Sequence, residues 1–225
     1  MAEEPYRFGN LNTELSYQFN KQTSSFIKTG LIMQFTHTDQ FDRNYSTTDT
    51  QLGFNSLVLK NYFNKHKSLS LNWGVSGALP NSTISFKRKF KGAVGTNLGL
   101  TAKIKKWMIS QTLGYRFSLY EFEAQGNEVY SPHSYTSSTS AKYRFTKKFS
   151  ASASFSYIRS ISYNKISKDF TRSSVGINYL LKKNIILNTG FSTENGVLAA
   201  SGTEYDIKLF GENETMFLVG ISFFI

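Results

Sequence analysis

Six cationic side chains and one carboxylate occur in this chain at a spacing that could bring them together on one surface. Each lies in a segment where apolar and polar residues alternate, and each falls on the polar parity of its segment. They are Glu14, Lys28, Lys103, Arg116, Lys142, Arg144 and Arg172. Lys and Arg residues arranged around a confined passage favour anions. The pattern therefore predicts a polar face that attracts anions, provided that the segments join into one sheet.

A simpler interpretation stays open for part of this set. Lys103, Lys142 and Arg144 fall near the ends of their segments, where a long cation can extend along apolar surface to reach water. Glu14 and Lys28 lie on two segments joined by a short turn, so these two charges could simply pair. Arg116 and Arg172 have no such explanation in the sequence, which makes them the most informative candidates.

The elements that must position these residues are β-strands. Period-two alternation runs through almost the whole chain, which is typical of strands with two different faces. Eleven such segments of roughly 9–14 residues are present, the length that crosses a bilayer at a tilt. Their apolar sets begin at Leu11, Ile27, Leu52, Leu69, Val94, Trp107, Tyr135, Phe149, Val175, Ile185 and Phe217.

The connections alternate between short basic turns and long polar segments. Short turns are expected at 20–23, 64–67, 105–106, 146–148 and 182–184, and long segments at 39–49, 80–91, 121–133, 160–169 and 194–214. Outer-membrane barrels have this layout, with the short turns on the periplasmic side. The sequence thus predicts an all-β fold, a transmembrane antiparallel up-and-down β-barrel.

A soluble β-sandwich is the competing fold. Its strands are shorter and their polar faces meet water, whereas here the polar faces are rich in Ser, Gly, Asn and Thr while charge collects in turns and loops. The chain contains 20 Phe and 13 Tyr, and its apolar faces end in aromatic residues near the turns, as an aromatic girdle would. These features favour the membrane barrel.

The number of strands is an open point. Single-chain bacterial barrels have an even number of strands, and eleven is odd. A twelfth strand could come from residues 5–10 or from residues 203–210, and the second choice would put the short turns outside. The predicted organisation is an N-terminal segment over 1–10 followed by a barrel of about twelve strands over 11–225.

The last strand resembles the C-terminal assembly signal of bacterial outer-membrane proteins. Phe217, Val219, Ile221 and Phe223 alternate up to the terminal Ile225, where that class usually ends on an aromatic residue. The resemblance implies insertion by the barrel-assembly machinery into the outer membrane of a Gram-negative bacterium. It implies no particular function.

Small residues dominate the predicted inner face, including serines at the even positions of 150–156. They cannot fill a barrel wider than the eight-stranded type, so a water-filled path is expected; a lumen closed by loops or by the N-terminal segment is the alternative. The preferred hypothesis is a porin-like channel for passive diffusion of small hydrophilic solutes, leaning toward anions. The rival is a non-conducting structural or adhesive barrel that acts through its long loops.

Basic residues outside the polar faces predict a contact with the phosphates of lipopolysaccharide. Four of them lie in a loop beside Phe86 and Phe90, and one has outward parity near the loop side. They are Lys87, Arg88, Lys89, Lys91 and Arg159. Basic and aromatic residues also alternate in nucleic-acid sites, but nucleic acid is not expected as a partner of a barrel loop.

No catalytic, metal or cofactor motif emerges. His133-Ser134 is the one nearby His–Ser pair, and it lacks the flanking motif expected of barrel enzymes that hydrolyse lipids, so a lipid-modifying enzyme is the weakest alternative. No residues have metal-ligand spacing, and no Gly-rich phosphate loop precedes a helix. We therefore expect no enzymatic activity and no cofactor.

Overall fold

The computed structural model describes residues 8–34, 45–64, 67–126, 128–182, 185–197 and 215–223, most of which belong to one antiparallel sheet. Its strands are β1 (Phe8–Gln18), β2 (Thr23–Gln34), β3 (Tyr45–Thr47), β4 (Thr50–Asn64), β5 (Lys67–Leu79), β6 (Phe90–Ile104), β7 (Trp107–Tyr120), β10 (His133–Arg144), β11 (Phe149–Ile161), β12 (Ser167–Lys182), β13 (Ile185–Gly196) and β14 (Thr215–Phe223). A small hairpin of β8 (Ala124–Gln125) and β9 (Glu128–Val129) follows β7, and a short helix, α1 (Thr83–Lys87), follows β5.

Each long strand pairs with the long strand that follows it in the chain, in the order β1-β2-β4-β5-β6-β7-β10-β11-β12-β13-β14. β3 pairs with β2 beyond the end of β4. All eleven strands predicted from the alternation are therefore confirmed, and so is the antiparallel up-and-down order. Within the described part of the chain, no helix is long and apolar enough to cross a membrane.

Several predicted boundaries change. β1 begins at Phe8 rather than at Leu11, so residues 8–10 pair with β2 instead of forming a separate stunted strand. The long loop predicted at 160–169 is wrong, because β11 and β12 stay paired as far as Ile161 and Ser167. β13 likewise extends to Gly196, into the predicted loop 194–214. The other candidate for a twelfth strand, residues 203–210, lies outside the described residues.

The outer face of the sheet is largely apolar and exposed, except at the mouth end of β12 and β13, where the outward residues Thr171, Ser173, Thr193 and Asn195 are polar and buried. On β7, Ile109, Leu113 and Leu119 each expose between 44 and 53% of their surface. Aromatic rings contact each other at the short-turn end, where the Trp107 and Tyr143 centroids lie 4.8 Å apart and those of Phe145 and Phe149 lie 5.2 Å apart. Soluble monomers do not expose apolar surface on this scale, so this is a face for lipid.

The height of the apolar face matches a bilayer. On β11 the outward parity carries no charge from Phe149 to Tyr157, and Arg159 follows at the other end. Eight steps of about 3.3 Å at a tilt of about 40° cover roughly 20 Å, close to the apolar band of about 25 Å on outer-membrane barrels. Arg159 therefore lies at the boundary between hydrocarbon and headgroups.

A β-bulge in β4 alters the inner face. The register with β5 shifts between Leu57 and Leu59, so Lys60 lies opposite Ser70 on the polar face. Uninterrupted alternation from Leu52 to Tyr62 would place Lys60 outward. The extra residue of a bulge reverses the parity of everything that follows it, and the inner face gains a cation.

The short helix α1 is fastened to the turn between β3 and β4 by hydrogen bonds. Asp49 accepts from the backbone N–H groups of Asn81 (3.2 Å) and Ser82 (3.0 Å) and from the hydroxyl of Ser85 (2.5 Å). Thr50 N–H donates to Asn81 Oδ1 at 2.7 Å, and Asn81 Nδ2 donates to Thr50 Oγ1 at 2.6 Å. We call this network the Asp49 latch. It holds the β5–β6 connection at the end of the sheet opposite the short turns, which we call the mouth.

The latch favours the ionised form of Asp49. Burial alone would raise the pKa of this carboxyl, but hydrogen bonds from Ser85, Ser82 and Asn81 outweigh it and lower the pKa below its usual 3.8. Because the folded pKa is the lower one, the stabilisation is fully present above pH 3.8 and is lost as the pH falls through the folded pKa.

The assignment of the two faces predicts different responses to a new charge at neighbouring positions. Leu113→Arg should destabilise the protein in lipid vesicles by about 2–4 kcal/mol, because the charge enters hydrocarbon near the bilayer midplane. The matched variant Thr112→Arg points to the polar face and should cost much less. Urea titration of folding into vesicles measures both. Equal losses would contradict the assignment.

The Asp49 latch makes a separate prediction. At pH 7, Asp49→Asn should raise deuterium uptake of residues 80–90 by roughly 5–30-fold, because loss of bonds to a charged acceptor costs about 1–2 kcal/mol. The excess over wild type at equal pH should shrink as the pH falls below 3.8 and through the lower folded pKa of Asp49, where the wild-type carboxyl becomes protonated. Glu123→Gln, an exposed carboxylate outside the latch, is the control. Uptake at pH 7 equal to wild type would show that the latch does not hold this connection.

Candidate functional site

The register decides which residues share the polar face, because directly paired residues of antiparallel strands lie on the same side of a sheet. Glu14 lies opposite Lys28, and Lys28 lies opposite Gln51. Arg116 lies between Gly95 and Ser134 in adjacent strands. Followed from strand to strand, the pairing places Glu14, Lys28, Lys103, Arg116, Lys142, Arg144 and Arg172 on one face, the candidate lumen wall.

Asparagine and glycine make this wall flat. Asn72 lies opposite Gly99, and a Cβ built on Gly99 would come within 2.8 Å of Asn72 Oδ1. Asn12 lies opposite Gly30 in the same way, with 2.6 Å between Asn12 Oδ1 and such a Cβ. Each amide occupies the space above the neighbouring glycine, so it lies along the wall instead of projecting from it. Such a wall leaves room inside and offers amide dipoles to a solute.

Arg172 has a carboxylate partner that the sequence analysis missed. Its guanidinium donates from Nε to Glu194 Oε2 at 2.8 Å, and Nη2 contacts the same oxygen. The two residues are opposite each other in β12 and β13. Glu194 had been assigned to a long polar connection, because the apolar alternation of β13 stops at Phe191. The expectation that Arg172 has no internal partner is therefore wrong, and its charge is largely compensated.

The other cations of the candidate lumen wall lie at different heights between the short turns and the mouth. Lys103, Lys142 and Arg144 lie in the last residues of β6 and β10, next to the short turns. Lys60 joins the face through the bulge in β4. Arg116 lies towards the mouth end of β7, away from those turns. Lys28 lies in the middle of β2, directly opposite Glu14. Of the predicted lumen cations, Arg116 is the one that lies away from the short-turn rim and faces no carboxylate in the adjacent strands.

A cleft of about 290 Å³ lies at the mouth, between α1, the β3–β4 turn and β7. We call it the mouth cleft; its lining includes Asp49, Ile84, Arg88, Phe90, Arg116 and Tyr120. The guanidinium carbon of Arg116 lies 5.9 Å from the centroid of the Phe90 ring, and Phe90 packs on Tyr120 at 5.5 Å. Since Arg116 and Tyr120 are on the polar face, α1 lies over that face. The β5–β6 connection therefore narrows the mouth.

The residues predicted to contact lipopolysaccharide lie in different settings. Arg159 points outward and forms a two-point ion pair with Asp169, with Nε–Oδ1 and Nη2–Oδ2 both at 2.9 Å. Lys91 pairs with Glu121 at 2.8 Å, which lowers the pKa of Glu121. Lys87 ends α1, Arg88 lines the mouth cleft, and Lys89 has a left-handed backbone with φ of 51°. The lipopolysaccharide contact stays a prediction.

The His–Ser pair considered for catalysis is not assembled. His133 lies opposite Phe117 on the outer face, and its Nδ1 is 2.9 Å from the Tyr115 hydroxyl. Ser134 is the next residue in β10 and so has the opposite parity. Among the described residues, no group of three His, Asp or Glu side chains is placed to hold a metal ion.

Comparison with known proteins gives a fold and no close relative. No family model and no curated protein matches the chain. Among solved structures, a KdgM porin in complex with oligogalacturonate is 11% identical, with a TM-score of 0.54 over 98% of this chain and 97% of that one. A NanC porin is 10% identical, with a TM-score of 0.54 over 96% and 99%. At such identity the likeness shows the fold alone. Together with the exposed apolar face, it identifies the chain as an integral outer-membrane β-barrel that shares the fold of these two proteins.

Proposed function

We propose that this protein is an outer-membrane channel for the passive diffusion of small hydrophilic solutes, with a preference for anions. The observation that carries the proposal is one continuous polar face on which cations outnumber carboxylates. In the described strands the cations on it are Lys28, Lys60, Lys103, Arg116, Lys142, Arg144, Lys168 and Arg172, and the carboxylates are Glu14 and Glu194. Such a lining raises the local concentration of anions.

The wall chemistry supports passage of solutes. Many positions of the wall carry a hydroxyl, an amide or a glycine, such as Thr101, Ser110 and Ser154. Their hydroxyls bond sideways along the wall, with Thr101 and Ser110 oxygens 2.9 Å apart and Ser154 and Ser174 oxygens 2.8 Å apart. Small side chains tied to the wall leave the interior of a barrel of this width to water.

One structural neighbour is consistent with the anion preference. The KdgM porin was solved with oligogalacturonate, a chain of sugar acids whose carboxylates make it polyanionic. The present chain shares 11% of its residues with that protein, so the identity of the solute does not carry over. What the two have in common is a barrel of this type, and in this chain the lining is cationic.

The charge that matters most should be that of Arg116. In planar bilayers with a salt gradient, Arg116→Gln should move the zero-current potential toward cation selectivity. The shift should be larger at 0.1 M salt, where the screening length is about 10 Å, than at 1 M, where it is about 3 Å. Arg159→Gln removes the same charge from the outer face at a similar height and should leave selectivity nearly unchanged. Equal shifts in the two variants would refute the lumen assignment.

The same bilayer experiment tests whether the protein conducts ions at all. If folded wild-type protein forms no pores in repeated bilayer trials, the channel proposal falls. The non-conducting structural or adhesive barrel would then take its place.

The ion pair between Arg172 and Glu194 allows a variant that should shift ion selectivity in the opposite direction, towards anions. Glu194→Gln leaves Arg172 uncompensated, so it should increase anion preference without changing the apolar face. The same bilayer measurement tests it. A shift toward cations, or none at low salt, would mean that Arg172 and Glu194 do not face the conducting path.

A further inference from the structure

The residues that line the mouth cleft are held in a defined arrangement by specific contacts. Arg116 is tied to an aromatic ring, and none of the ion pairs seen among the described residues uses its guanidinium. Arg159 and Arg172, in contrast, each face a carboxylate. The Arg116 guanidinium carbon lies 5.9 Å from the centroid of the Phe90 ring, and an arginine held beside a ring in this way can still direct two parallel N–H groups to one oxyanion.

Among the described residues that line the cleft, the one carboxylate, Asp49, is already engaged in hydrogen bonds. Asp49 accepts hydrogen bonds from Asn81, Ser82 and Ser85, so its oxygens are directed at the β5–β6 connection. Arg88 lines the same cleft. Asp49 is thus committed to the latch, and the ion pairs seen among the described residues give Arg116 no carboxylate partner. A small anion would supply one.

The remaining walls combine the hydroxyl residues Thr47, Thr48, Ser82 and Ser85 with an apolar part that is held in place. Ile84 and Tyr120 line the cleft beside the arginines. The Tyr120 ring stacks on that of Tyr130, with centroids 4.6 Å apart and an angle of 18° between the planes, and Tyr130 is buried. The Asp49 latch fixes α1 and with it Ile84. A site with fixed walls loses little entropy when it binds.

The size of the cleft admits a small ring. Its volume is about 290 Å³, and a cavity of about 150 Å³ is enough to bind benzene. A single ring with one substituent therefore fits, with room left for water. We propose that the mouth cleft binds one small carboxylate carried on a flat ring, with Arg116 holding the carboxylate and Ile84 and Tyr120 contacting the ring. This deepens the proposed channel function and rests on it in assigning the cleft to the path of an entering anion.

The test is a calorimetric titration of folded protein in detergent micelles with three probes. Benzoate has both the ring and the charge, benzamide has the same shape without the charge, and acetate has the charge without the ring. Benzoate should bind saturably with one site per chain, and benzamide and acetate should bind at least roughly tenfold more weakly, since each lacks one half of the contact.

Variants separate the site from the general charge of the lumen. Arg116→Gln should weaken benzoate binding by roughly tenfold or more, and Arg116→Lys, which keeps the charge but loses the paired donors, should fall between it and wild type. Arg172→Gln removes an equal charge from the same face outside the cleft and should bind benzoate like wild type. Equal weakening by Arg116→Gln and Arg172→Gln would overturn the site, as would wild-type affinity in both Arg116 variants.

The outcome is independent of conduction. Specific benzoate binding by a protein that forms no pores would support the cleft and overturn the channel. An anion-selective pore whose folded protein does not bind benzoate would overturn the cleft and leave the channel standing. Equal affinity for benzoate and acetate would overturn the proposal, because it would show that the ring contributes nothing to binding.

Discussion

Hydrocarbon offers no partner for a backbone N–H or C=O, so a chain that crosses it as strands must satisfy every such group on neighbouring strands. From β1 to β14, neighbouring strands of this protein form long pairings of this kind, such as that of β11 with β12 from Phe149 and Tyr179 to Ile161 and Ser167. Because paired residues share a face, the same hydrogen bonds also fix the side on which each side chain lies. The rest of the structure depends on that register.

The register turns one alternating sequence into two surfaces with different solvents. Leu113 and Thr112 are neighbours in β7, yet one belongs to the lipid face and the other to the polar wall. The cations of the wall then act together, although they come from distant parts of the sequence. Charge on the lipid face is confined to its boundary, where Arg159 is neutralised by Asp169. The proposed anion preference follows from this separation.

Most of the fold could be predicted from the sequence because period two is a local signal that each strand repeats. The shared face of Arg116 and Lys142 followed from the same counting. The bulge at 57–59 could not be predicted, since one extra residue within an alternating run leaves the run looking continuous. Glu194 was missed because Thr193 and Asn195 are polar although they are buried, so the strand continues where the apolar signal ends. The Asp49 latch joins residues more than 30 positions apart and leaves no periodic trace.

The central claim is that alternate residues of each long strand face lipid and water. The chain has no cysteine, so single cysteines can be introduced at each position from 150 to 157 in β11 and labelled in protein folded into lipid vesicles. A membrane-impermeant, water-soluble maleimide should label the even positions, whereas the odd positions should resist it and bring an attached fluorophore within reach of a lipid-chain quencher. Labelling that does not alternate, or that favours the odd positions, would contradict the account.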